Sequence, residues 1–291
     1  MNRRHLLTAL PAALTLPTLA PAATEKLSGK GRLRSALCAY SYRDALGDKS
    51  MRYEDLVHIA SDHNIEGLDL TVYWFPDTSD GFLLPLKRLA YRMGVEIYSI
   101  SIRTDMCQPT RDAQDKELGD VRKWVDAAAK LGAGHIRVFG GKAPKDASED
   151  QAAGWVVEVL SRAAEYAASK GVILGLENHG GITDKAARVV EIVKKIDSPW
   201  VGVNLDTGNF KTNVFPQIEM LIPYAVNVQV KADYTEDGVK HPGDWDRVAK
   251  LLSASGYKGY LALEYEGKEN AKTEVPRLLQ KLRKVTQKYS T

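Results

Sequence analysis

Among 291 residues there are only six histidines and two cysteines, which counts against a His-rich multinuclear zinc site. Cys38 and Cys107 allow at most one disulfide. Each lies in or just after a different β-rich run, and nothing in the spacing brings them together. Charge of one sign is scarce too: 40 basic against 37 acidic residues leave a net +3, which forecasts neither a nucleic-acid surface nor an anionic membrane as partner. No apolar run reaches the roughly 20 residues needed to span a bilayer. No GxGxxG follows the first β-rich run, which counts against a doubly wound dinucleotide fold. Repeats, low-complexity stretches and linkers are absent after Leu33, which argues for one domain.

The N-terminus differs in character from the rest of the chain. Arg3 and Arg4 precede an apolar run from Leu6 to Leu19, broken by Pro11 and Pro17, and Ala20-Pro21-Ala22 supplies a small-x-small cleavage pattern. Residues 1–22 therefore read as a twin-arginine export signal, with a mature protein beginning near Ala23 in the periplasm or otherwise outside the cytoplasm. The mature chain is not expected to insert in a membrane.

From Leu33 onward, short β-rich runs alternate with amphipathic helical runs. Strands are expected at 34–41, 66–73, 95–102, 134–140, 172–178, 200–206, 225–231 and 259–265. Helices are expected at 52–63, 82–93, 114–131, 149–169, 184–196, 245–254 and 272–288, with Gly94, Gly132, Gly171 and Gly256 placed to stop them. Eight β-then-α units in this length match a closed (β/α)8 TIM barrel of the α/β class, spanning 23–291 as a single domain.

Strand phase says which side chains face inward. Val172, Leu174 and Leu176 share one face and Ile173, Gly175 and Glu177 the other; Val203 and Leu205 oppose Asn204 and Asp206; Val228 and Val230 oppose Asn227, Gln229 and Lys231; Leu263 opposes Ala262 and Glu264. Asp69 and Thr71, and then His135, Arg137 and Phe139, follow the same rule. The apolar faces must pack on helices, so the barrel interior is polar, and buried carboxylates there need hydrogen bonds, charge partners or a metal.

Glu177, Asp206, Gln229 and Glu264 end four consecutive strands, with spacings of about one β/α unit, at the end of the barrel where active sites form. Carboxylates brought that close repel one another unless a cation sits among them, and a divalent ion would supply it.

Glu177-Asn178-His179-Gly180-Gly181, Asn204-Leu205-Asp206-Thr207-Gly208-Asn209, Val228-Gln229-Val230-Lys231 and Leu263-Glu264-Tyr265 resemble the strand-end motifs of the xylose isomerase-like, sugar phosphate isomerase/epimerase superfamily. That resemblance implies a metal held by Glu177, Asp206, Gln229 and Glu264, with Glu177 and Glu264 doubling as acid and base. The family most often has His where this chain has Gln229. An amide oxygen is a weaker donor than imidazole, so the expected ion is Mn2+ or Mg2+ rather than Zn2+. The implied chemistry is isomerisation or epimerisation by proton abstraction next to a carbonyl.

Around this centre, His179, Lys231 and Asn209 are candidate substrate contacts, and Tyr42 and Trp74, after the first two strands, are candidate stacking surfaces for a sugar ring. Arg137 and Arg103 read as interior ion-pair partners. No glycine-rich phosphate cradle follows the seventh or eighth strand, so the expected partner is an unphosphorylated small carbohydrate. The alternatives are a lyase or hydrolase cleaving 3-keto-glycosides by elimination at the same centre, and a non-catalytic sugar- or metal-binding barrel. An endonuclease IV-type repair enzyme is disfavoured because the mature chain has only His58, His63, His135, His179 and His241. Barrels of this kind often pair, which leaves a homo-oligomer open.

Overall fold

The computed structural model describes residues 29–290, so the expected signal segment lies outside the described residues. Eight parallel strands close into a barrel in the order β1 (Arg32–Cys38), β10 (Lys258–Glu264), β7 (Ala225–Lys231), β6 (Val201–Asp206), β5 (Ile173–Glu177), β4 (His135–Val138), β3 (Glu96–Ser101) and β2 (Gly67–Thr71). Each expected strand is present. The outer shell consists of α2 (Tyr53–Asp62), α3 (Asp80–Arg92), α4 (Arg111–Leu131), α5 (Glu149–Ser169), α6 (Ala186–Ile196), α7 (Val214–Leu221), α8 (Trp245–Ala254) and α9 (Ala271–Tyr289), with a short α1 (Arg43–Gly47) after the first strand.

Local chemistry explains where these helices begin and end. Ser148 and Gln151 form a reciprocal capping box at the start of α5, and the Thr110 hydroxyl accepts from Ala113 N–H at the start of α4. Gly132 ends α4 with φ of 85°, a left-handed turn that costs glycine little. Outward-facing Val203, Leu205, Val228, Val230, Leu261 and Leu263 are buried in the core between barrel and helices. That packing fixes strand phase, because a one-residue slip would turn every carboxylate into the helices.

Two elements were not foreseen. Between β7 and α8 an antiparallel hairpin, β8 (Asp233–Glu236) paired with β9 (Val239–Pro242), rises above the barrel mouth, and α7 occupies a stretch expected to be a plain connection. The hairpin has no apolar alternation, being partly or fully exposed on both faces, so it lacked the period-2 signal. Both cysteines are free thiols: Cys38 is inside the barrel near Thr71, and Cys107 donates to the Gly140 carbonyl. Among the described residues no helix is long and apolar enough to cross a membrane.

Candidate active site

Strand phase places Asp69, Ser99, Ser101, His135, Arg137, Glu177, Asn204, Asp206, Asn227, Gln229, Lys231 and Glu264 inside the barrel, all buried. A polar interior of this kind is tolerated only when its groups are matched. Two systems match them: a neutral amide chain across the middle and a charged cluster at the top.

The amide chain begins at Tyr98, whose hydroxyl donates to Asn227 Oδ1 at 3.0 Å. Asn227 Nδ2 donates to Asn204 Oδ1 at 2.8 Å, and Asn204 Nδ2 donates to Gln229 Oε1 at 2.7 Å. Gln229 Nε2 then donates to Asp69 Oδ2 at 3.0 Å. Asp69 also accepts from Ser99 and Ser101 through Oδ1, and His135 Nδ1 bonds the Ser99 hydroxyl at 2.8 Å. Gly175 makes room for this ring: a Cβ there would collide with His135 Nε2.

In the charged cluster, Lys231 Nζ lies 2.8 Å from Glu264 Oε2, 3.3 Å from Asp206 Oδ2 and 3.0 Å from Glu266 Oε2. Arg137 Nε lies 2.9 Å from Glu177 Oε2, while its Nη1 donates to the Ile102 carbonyl at 3.0 Å and approaches the Tyr73 hydroxyl at 3.3 Å. The stem of Lys231 passes over Gly208, where a Cβ would sit 2.5 Å from Lys231 Cγ. Asp206 is held by Gly208 N–H at 2.8 Å on Oδ1, and its backbone is clamped at both ends by the Asn178 amide. Glu177 Oε2 and Asp206 Oδ2 face their cations without hydrogen-bond alignment, which leaves lone pairs on both oxygens.

Three inner carboxylates therefore meet two inner cations, so the cluster holds a proton readily. Burial drives the Glu177 carboxyl well above its ordinary range, with Arg137 opposing and Asp206 and Glu264 adding to the rise. Burial also lifts Asp206, to about 7, against the pull of Lys231. For Glu264 burial acts upward as well, but Lys231, Arg137 and a hydrogen bond with Asp206 together outweigh it and leave the group below its ordinary value. Adjacent carboxyls are thus pushed into unlike protonation states, the arrangement general acid–base chemistry uses.

Of the residues expected at the site, Glu177, Asp206, Glu264 and Lys231 come together in this cluster, and Asn209 joins them by donating to Glu177 Oε1 at 3.1 Å. His179 lies over Phe139 with ring centroids 4.0 Å apart. Partial burial, then Arg137 and Lys231, pull its pKa down to about 4, so the ring is neutral near pH 7. It lines a cavity of about 550 Å³ with Arg103, Thr104, Phe139, Lys142 and Thr183, a volume suited to a small ligand.

Two expectations need correction. Tyr42 is buried at 2% exposure in the outer core and cannot meet a sugar ring. Instead Tyr40 stacks on Trp74, with centroids 6.0 Å apart and planes inclined by 28°, and Tyr73 meets Tyr40 edge-on. Tyr40 shares parity with Ala36 and Cys38, so extending the β1 alternation by one step would have found it. Arg103 is not interior: it is exposed over the Tyr73 ring at 4.5 Å. Gln229, expected as a ligand, lies in the neutral amide chain, its Oε1 accepting from Asn204 Nδ2.

The side chains as arranged do not fit a divalent ion. Glu177 Oε2 and Asp206 Oδ2 are the atoms an ion would take, yet each already faces a fixed cation. Among the described residues no three His, Cys, Asp or Glu side chains gather in a metal-holding arrangement.

A family model described as xylose isomerase-like TIM barrel matches residues 57–285. The chain belongs to this family. Solved structures of the same fold include a D-psicose 3-epimerase from Clostridium cellulolyticum H10, 16% identical, with a TM-score of 0.69 over 88% of this chain and 98% of the other. A D-allulose 3-epimerase from Methylomonas sp. is 16% identical, with a TM-score of 0.69 over 90% and 99%. A probable 3-DHS dehydratase from Bacillus anthracis is 18% identical, with a TM-score of 0.62 over 87% and 98%. Likeness at these identities is likeness of fold. Among curated proteins no sequence match is found.

Proposed function

We propose that this protein is an isomerase or epimerase of an unphosphorylated carbohydrate, working by proton transfer at a carbon next to a carbonyl. One observation carries the reading: Glu177 and Glu264 converge with Asp206 at the mouth of the barrel in environments that push their protonation apart. Glu264, held ionised by Lys231, is suited to remove the carbon-bound proton. Glu177, pushed toward its neutral form, is suited to return one, each step contributing about 10²–10⁴ in rate. Asn209 orients Glu177, the neutral ring of His179 lines the cavity a sugar would enter, and the Tyr40–Trp74 stack is proposed as a second ring-binding surface. No step is assigned to a metal ion. The sugar 3-epimerases that share this fold are consistent with the substrate class.

The proposal includes export, supported by Arg3-Arg4, the short apolar run and Ala20-Pro21-Ala22. The test is incubation with a panel of free ketoses in deuterated water, followed by mass spectrometry and proton NMR. Deuterium at the carbon beside the carbonyl, with formation of the epimer or isomer, is expected from the native protein and not from Glu264→Gln. Bond cleavage of a 3-keto-glycoside without such exchange would favour elimination instead.

A further inference from the structure

We infer that this barrel balances its catalytic carboxylates with its own side chains, Lys231 and Arg137, and turns over without a divalent ion. The inference rests on the proton-transfer reading for what the carboxylates do, but its own argument is geometric.

Apart from polarising a substrate carbonyl, an ion among Glu177, Asp206 and Glu264 would neutralise anions that otherwise repel. Lys231 supplies one positive charge toward this, its ammonium lying within 3.3 Å of Asp206, Glu264 and Glu266, and a proton held by the cluster supplies part of the rest. Arg137 supplies another charge at Glu177. An ion taking Asp206 Oδ2 and Glu264 Oε2 would have to displace an ammonium from both atoms. Gly208 is part of the device, because any larger residue would push the Lys231 stem away from the cluster.

The fourth ligand position is closed by a separate mechanism. Asp69 offers Gln229 a carboxylate oxygen, which favours the amide nitrogen on that side and turns the amide oxygen toward Asn204. Flipping Gln229 would set its oxygen against Asp69 and its NH2 against the Asn204 NH2, creating two repulsive contacts in a buried site. The direction set at Asp69 carries on through Asn204 to Asn227, whose Oδ1 takes the Tyr98 hydroxyl, so turning Gln229 would mean turning the whole chain. Gln229 and Lys231 thus exclude an ion together, one by withholding a ligand and the other by holding the charge. Lys231 is a positioning residue in this scheme, acting through Glu264 and Asp206.

The experiment uses the full mature chain, dialysed against chelator and then exposed to Mn2+, Mg2+ or Zn2+ without substrate. Bound metal is measured by elemental analysis and stability by thermal melting. The expected result is negligible metal and a melting temperature that moves by less than about 1 °C, since an ion binding only the folded state would raise it by several degrees. Near-stoichiometric retained metal, or such a rise, would overturn the inference.

A second variant approaches from the other side. Gln229→His combined with Lys231→Ala is expected to melt lower than the native protein without metal and to recover on adding Mn2+. It is also expected to give a visible absorption band with Co2+. A folded double variant that binds no metal would also overturn the inference, because these side chains would not then be what excludes the ion. Failure of the carbohydrate assay leaves both metal measurements intact, so the two readings fail separately. If the ketose exchange assay succeeds, its rate is expected to be unchanged by chelator.

Discussion

Lys231 and Glu264 are register partners on adjacent strands β7 and β10, and their side chains meet at 2.8 Å just inside the barrel mouth. The pairing is written into the closure of the sheet, since both residues end their strands on the inward phase. Removing one member of a buried pair leaves the other uncompensated.

Lys231→Met is therefore expected to destabilise the protein by about 3–5 kcal/mol at neutral pH. Glu264→Gln, which leaves Lys231 with Asp206 and Glu266, is expected to cost much less. Urea denaturation of both variants checks the order, and equal losses would mean that the ammonium is not the organising charge.

Gln229→Leu is expected to cost about 1–3 kcal/mol for each partner it strands, Asn204 Nδ2 and an oxygen of Asp69. Gln229→Glu places a second acid beside Asp69 and is expected to be worse than Leu at pH 8 but not at pH 5. Thermal melts at the two pH values read the difference.

His135 is buried and neutral, its pKa pulled from 6.5 to about 3 first by burial and then by Arg137. Between those values the unfolded chain binds a proton that the folded chain refuses. Its contribution is thus constant above pH 6.5 and is lost on acidification, by about 1.4 kcal/mol per pH unit until pH 3. The buried acids Glu177 and Asp206, with raised pKa values, act in the opposite direction, so the quantity to measure is the difference between native protein and His135→Asn. That difference is expected to narrow as pH falls below 6.5, and a constant gap would show that His135 is protonated in the fold.

Trp74→Ala is expected to raise KM several-fold with little change in kcat, the outcome of the proposal that the Tyr40–Trp74 stack binds the sugar ring away from the reacting carbon. Asn209→Ala is expected to do the reverse, lowering kcat about tenfold, because it touches Glu177 itself. Steady-state kinetics on the ketose identified by the exchange assay separate the two.

Much of this architecture was legible along the chain because a barrel strand has two unlike faces. Val228 and Val230 must bury against helices, so Asn227, Gln229 and Lys231 must point inward, and the same alternation places Glu177, Asp206 and Glu264. It failed where the period broke. β1 gives way after Cys38 to a tight helical turn, so Tyr42, counted as a mouth residue, rotates into the core while Tyr40 takes the mouth. The hairpin β8–β9 carried no apolar alternation to read.

Parity along a strand is a local property, and it was enough to name the inward set and the barrel that holds it. The direction of the Gln229 amide is not local, because it depends on Asp69, 160 residues earlier in the chain, and on Asn204 from the neighbouring strand β6. The placing of the Lys231 ammonium among Asp206, Glu264 and Glu266 is likewise decided by distances across a closed sheet, where Lys231 has the reach and Gly208 clears its path.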